Sequence, residues 1–162
     1  MPAPLLDLSA LDLSRPLFTK DDVYGVLRHR GTFALVDGIL HMADDPPVTV
    51  GYVDVRKDSW WAPDHIPGRP LFPGVLMIEA ATQIGCFDFF RRNSEIGVSF
   101  VGFAGVEKAR FRAPVEPDCR LLLAAQGLRT RGRAGRIFFH YAVQGFVEDK
   151  LVFDTEVSGM QM

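Results

Sequence analysis

Hydrophobic and polar positions change period several times along the chain, and each change marks a boundary. Residues 48–55 carry β-branched side chains at alternate positions, the period-two signature of a strand. Upstream, 33–42 is a continuous apolar run suited to a buried strand, closed by Asp44-Asp45-Pro46-Pro47. From 58 to 74 the prolines at 63, 67, 70 and 73 exclude any regular element. The next segment, 73–92, reads as a helix of about five turns. Pro73 suits its first turn, and Arg91 and Arg92 suit its last, where they complement the dipole. Its apolar residues lie nearly all round the axis, which predicts burial on most sides.

Strand-like stretches follow at 98–104, 108–113, 120–128, 137–147 and 151–157, with turns at 132–135 and 148–150 that read as antiparallel hairpins. At the other end, Thr19 stands ready to cap a short helix over 20–27. Residues 1–20 form an extended lead-in broken by Pro2, Pro4 and Pro16. Two strands, one enclosed helix and a run of strands predict an α+β fold. An antiparallel sheet wraps a central helix at about 73–92, in one domain spanning 21–162.

Length and composition fit that picture. The chain has 162 residues, 48% of them apolar and 23% charged, enough for one domain with its own core. A net charge of −2 argues against nucleic-acid binding by the chain as a whole. Residues 105–136 nevertheless hold eight Lys and Arg against three acids. Such a strip can steer an acidic partner, and a set of solvated strands and turns accounts for it equally well. Cys86 and Cys119 lie in no metal-ligand or redox spacing, and Cys86 reads as a buried thiol. Asp7 and Asp12 precede the first basic residue, the wrong order for a secretory signal, and no apolar stretch is long enough to span a membrane. A cytoplasmic setting is expected.

Glu79 is the chemical anomaly: a carboxylate within the most apolar part of the helix. Burial is expected to raise its pKa, as a general acid near neutral pH requires. Gln83, one turn on, shares its face and can orient it. His65 sits in a proline-stiffened loop that runs into the helix, whose first N–H groups, at Gly74 and Val75, suit developing negative charge. Together these supply a base, an acid and an oxyanion site. Glu79 lies a turn and a half into the helix, so a two-fold dimer is expected to set His65 of one subunit against Glu79 of the other.

The stretch DHIPGRPLFPGVLMIEAATQ (64–83) resembles the signature of bacterial 3-hydroxyacyl-acyl-carrier-protein (ACP) dehydratases of the FabZ/FabA type. RHRGTFALVDGI (28–39) and GVEKARFRAPVEPDCRL (105–121) are similar to two further segments of that family, in the same order. The resemblance implies a hotdog fold, an obligate homodimer, possible assembly as a trimer of dimers, and no metal or organic cofactor. By position it makes His65 and Glu79 the catalytic pair, Gly74 and Val75 the holders of the thioester oxygen, and Gln83 the orienting residue. Glu at position 79 resembles the FabZ branch. The family mechanism has the histidine remove the C2 proton while the glutamate protonates the departing 3-hydroxyl. The acyl chain is expected in an apolar tunnel beside the helix. Lys108, Arg110, Arg112, Arg131 and Arg133 then become contacts for an acidic acyl carrier protein.

This chain departs from the family at three places. Asp64 and Ile66 flank His65 where the family has Gly and Phe, and Trp60-Trp61 replaces a Phe pair. Asp64 brings a negative charge that favours the imidazolium. Two other readings stand beside the dehydratase: a hotdog acyl thioesterase, and a non-catalytic acyl-thioester-binding subunit, which Asp64 favours. The presence of both His65 and Glu79 speaks against the latter.

Overall fold

In this computed structural model, which describes residues 2–97, 100–133 and 135–162, seven strands form one sheet. In chain order the elements are β1 (Phe18–Thr19), α1 (Lys20–Val26), β2 (Gly38–Asp44), β3 (Pro47–Val55), α2 (Gly74–Arg92), β4 (Val101–Phe111), β5 (Cys119–Arg133), β6 (Arg136–Val147) and β7 (Lys150–Gln161). The sheet order is β1-β2-β3-β5-β6-β7-β4, and every pairing is antiparallel. The sheet curls around α2, which packs on β3, β4, β5, β6 and β7. This is the hotdog arrangement.

Helix α2 has the enclosed character that its composition predicts, with Phe87 and Phe89 fully buried. Each contributes roughly 1.5–3 kcal/mol of burial. The helix begins at Gly74, one residue later than expected, with Pro73 just outside it. Gly51 of β3 is the point of close approach: a Cβ there would lie 2.8 Å from Cδ1 of Ile84. The two faces of β3 serve different clusters. Val53 and Val55 join the core around α2, whereas Val48 and Val50 pack with Ala124 beneath Leu6, Leu8 and Leu11 of the N-terminal lead-in. Gln144 ties that lead-in down, accepting from the Leu5 N–H at 3.0 Å and donating to the Ala3 carbonyl at 2.9 Å. Thr19 caps α1 in a reciprocal box with Asp22.

Three strand expectations need correction. The apolar run 33–42 becomes strand only from Gly38, and Gly31–Phe33 is a 3-10 turn instead. Its backbone groups are claimed by side chains: the Val36 N–H donates to the Tyr24 hydroxyl at 2.8 Å, and the Phe33 carbonyl accepts from Gln83 at 2.8 Å. The separate strands expected at 98–104 and 108–113 are one, β4, because pairing with β7 continues across 105–107 through two register shifts. Val98 and Ser99 lie outside the described residues. Strands β5 and β7 also outrun their apolar patterns, since backbone pairing with β6 continues into polar sequence.

At the sheet edge, β4 is exposed along most of its length and carries Phe103, Val106 and Phe111 outward. Deep in the opposite end of α2, Asp88 is a buried carboxylate with three donors. Thr49 (2.5 Å) and Arg92 Nε (2.7 Å) reach Oδ1, and the Tyr141 hydroxyl (2.7 Å) reaches Oδ2. Such a fully partnered acid is a structural tie between α2, β3 and β6.

Candidate active site

The loop before α2 holds its shape through buried anchors and short backbone bonds. Trp61 is buried against Phe72 with ring centroids 5.4 Å apart, and the Phe72 N–H donates to the Val115 carbonyl at 2.8 Å. The His65 N–H donates to the Trp61 carbonyl at 2.9 Å. Its ring Nδ1 lies 2.7 Å from the Leu71 carbonyl oxygen. A carbonyl only accepts, so Nδ1 is the donor, and in the neutral ring this leaves Nε2 with the lone pair that a general base needs. Asp64 is exposed, and the ring hydrogen bond of His65 goes to Leu71.

His65 lines a cleft of about 630 Å³ together with Pro73, Gly74, Val75, Phe111 and Arg112. Gly74 and Val75 are the first two residues of α2, so their N–H groups have no upstream helical carbonyl to meet. A Cβ on Gly74 would lie 2.8 Å from the Phe111 ring, so only glycine fits beneath that ring. The base and the oxyanion site predicted from sequence therefore share one cleft.

Glu79 belongs to a different neighbourhood. Its Oε1 accepts from Gln83 Nε2 at 2.7 Å, as the one-turn spacing predicts. Gln83 is itself fully buried and locked, since its Oε1 accepts from the Tyr24 hydroxyl at 2.6 Å. The expectation that burial raises the Glu79 pKa is overturned. His29 Nε2 stands 3.3 Å from Oε1, and the carboxyl keeps 31% of its side-chain surface exposed. The His29 contact holds the carboxyl below its ordinary range; burial pushes the other way, and the Gln83 bond adds to the lowering. His29 and Tyr24 were not singled out from sequence; the only signal was the His-Arg pair within 28–39. Beyond His29, a narrower cleft of about 330 Å³ runs past Cys86, Phe90, Phe100 and Phe103. Burial pushes the Cys86 thiol up to about 12, so it is an inert wall.

The five basic residues expected to form one strip do not form one patch within a single chain. Arg112 borders the His65 cleft but is paired with Asp154, and Lys108 is paired with Glu156 at 2.6 Å. Arg110 stands opposite Asp154 on β7. Arg131, stacked over Phe138 at 5.3 Å, and Arg133 belong to the β5–β6 hairpin, whose Gly135 N–H reaches Gln161 near the Val101 end of β4. The eleven residues of β4 separate that hairpin from Phe111 and the cleft, a span of roughly 33 Å in extended chain.

Comparisons with known proteins bear on the family and the fold. A family model described as a FabA-like domain matches residues 27–156. A 3-hydroxyacyl-[acyl-carrier-protein] dehydratase FabZ from Desulfotalea psychrophila is 35% identical over 84% of this chain and 90% of its own length. Its counterpart from Syntrophobacter fumaroxidans is 36% identical over 83% and 88%. Among solved structures, the dehydratase heterocomplex ApeI:P from Xenorhabdus doucetiae superposes with a TM-score of 0.72 at 15% identity, covering 91% of this chain and 93% of that one. The phenylacetic acid degradation protein PaaI from Thermus thermophilus does so at 0.56 and 18%, covering 76% and 91%. The last two likenesses concern the fold; the family model and the curated relatives carry the assignment, and the chain belongs to the FabA-like family.

Proposed function

We propose that this protein is a hydro-lyase that dehydrates 3-hydroxyacyl thioesters carried on acyl carrier protein to trans-2-enoyl thioesters, as its FabZ relatives are named for doing, in fatty-acid or related lipid synthesis. The observation that carries the reading is His65, with a bare Nε2, sharing a cleft with the free N-terminus of α2. In this reading His65 takes the C2 proton, and the Gly74 and Val75 N–H groups hold the enolate-like thioester oxygen. Glu79, oriented by Gln83, gives its proton to the departing hydroxyl. No cofactor enters the reaction.

Two copies of the chain, paired along β4, complete the site in this reading. The support is an eleven-residue edge strand with outward Phe103, Val106 and Phe111, which an isolated protein would have to shield. Pairing by a two-fold axis brings His65 of one copy toward Glu79 of the other. It also carries the Arg131–Arg133 hairpin of one copy toward the cleft end of the other, giving an acidic carrier protein a basic rim. The acyl chain follows the groove past Cys86 and Phe90. A lead-in over 1–20, one domain over 21–162 and a cytoplasmic setting belong to the same reading, the last in keeping with two free thiols.

The test follows enoyl absorbance and free thiol together, with 3-hydroxyacyl-ACP and crotonyl thioesters of short and long chain. Enoyl interconversion without thiol release supports the dehydratase. Thiol release would identify a thioesterase, and neither signal would leave a binding subunit.

A further inference from the structure

Every contact to the Glu79 carboxylate among the described residues falls on the same oxygen. Gln83 Nε2 is 2.7 Å from Oε1, and His29 Nε2 is 3.3 Å from the same atom. His29 is held there by its own backbone, because Arg30 Nη1 donates to the Leu27 and His29 carbonyls, both at 2.7 Å. The other ring nitrogen of His29, Nδ1, is buried and has no hydrogen-bond partner among the described residues. The ring therefore has one polar neighbour for its N–H, and that neighbour is Glu79.

We propose that His29 is a positioning residue for the dehydration: with Gln83 it fixes Oε1 as the accepting oxygen and leaves Oε2 as the atom that carries and delivers the acidic proton. The proposal rests on the dehydratase reading and refines it. Two donors on one oxygen stabilise the carboxylate and, once it is protonated, the tautomer with a carbonyl at Oε1 and the hydroxyl at Oε2. The proton on Oε2 passes to the leaving 3-hydroxyl, which departs as water. The resulting carboxylate is the state that His29 and Gln83 then hold until the next proton arrives from solvent. Other groups around the acid are Tyr24 on α1, which bonds Gln83, with Asp37 acting on it through space, and the protonated Cys86 thiol on α2. None of these donates to Glu79. In the proposed dimer, His65 of the second copy faces Oε2.

The test compares His29→Leu and His29→Gln with wild type in the homodimer, reading kcat, KM and the pH profile of kcat/KM. His29→Leu is expected to lose at least tenfold in kcat with KM within about twofold, and its acidic limb should move to higher pH. His29→Gln, which restores an N–H donor, should recover most of the kcat. A carbon-13 titration of the Glu79 carboxyl supplies a readout that needs no turnover, and its midpoint should rise in His29→Leu. An unmoved midpoint and acidic limb, or an equal loss of kcat in both variants, overturns the proposal. Absence of enoyl interconversion by wild type would instead overturn the dehydratase reading, while the titration would still decide the role of His29.

Discussion

His65 and Leu71, six residues apart in the loop before α2, are joined by a 2.7 Å contact from Nδ1 to the carbonyl oxygen. That contact makes Nδ1 the donor of an imidazole that lines the cleft at the N-terminus of α2. Within one chain His65 shares its cleft with Gly74 and Val75 and not with Glu79, and the proposed division of the site between two copies leads to the first prediction.

Mixed dimers of His65→Ala and Glu79→Gln should regain activity that neither variant has alone. Each hybrid holds one site with both wild-type groups, so random re-association of equal amounts should return roughly a quarter of wild-type turnover. Denaturing and refolding the mixture before assay checks this. No recovery with dimers intact would put both residues in the same protomer's site.

Tyr24→Phe should lower both stability and rate. The hydroxyl donates to Gln83 at 2.6 Å and accepts from the Val36 N–H at 2.8 Å, and its removal leaves two buried groups unpaired. The expected loss is about 1–3 kcal/mol in denaturant unfolding. A fall in kcat should accompany it as Gln83 loosens its hold on Glu79.

Asp88→Ala should be the most damaging of the polar substitutions away from the site. It strips the acceptor from Thr49, from Tyr141 and from one nitrogen of Arg92. Arg92 keeps Asp44 and the Ala43 carbonyl, so the loss should be about 3 kcal/mol, toward the low end for a broken buried pair. Asp88→Asn, which retains an acceptor oxygen, should cost less in the same unfolding experiment.

Glu156 links β4, β6 and β7, receiving Lys108 at 2.6 Å and His140 at 2.9 Å. Lys108, then His140, hold its carboxyl below the ordinary 4.5. A lowered folded pKa means stabilisation that is complete above 4.5 and vanishes as pH falls through the lower folded value. Partial exposure limits the effect to about 1 kcal/mol. The stability gap between wild type and Glu156→Gln should therefore be constant near neutrality and close in acid, measured by unfolding at a series of pH values.

Gly74→Ala should cost activity more than stability. The added methyl would meet the Phe111 ring at 2.8 Å, and that ring is half exposed and stacked on Phe153. Pushing it aside forfeits a stack worth about 0.5–1.5 kcal/mol and moves the ring into the cleft. A tenfold or greater fall in kcat/KM with a modest drop in Tm is the expected result.

The sequence by itself determined what depends on neighbours along the chain. An apolar surface on all sides, a proline before it and arginines at its end specify α2, and a one-turn spacing specifies the Glu79–Gln83 bond. The capping box at Thr19 and the hairpin turns are equally local, since helix and turn geometry fixes which nearby groups meet. Tertiary structure decided everything that required distant groups to compete for one partner. Residues 33–37 have the composition of a strand, but Tyr24 and Gln83 take the hydrogen bonds a strand would need. Glu79 sits in an apolar helix, but a histidine fifty positions upstream reverses the direction in which burial alone would shift it. The basic residues cluster in sequence, but an antiparallel strand of eleven residues carries them to opposite ends of the sheet. In each case the outcome was set by which long-range contact won, and local pattern carries no record of that contest.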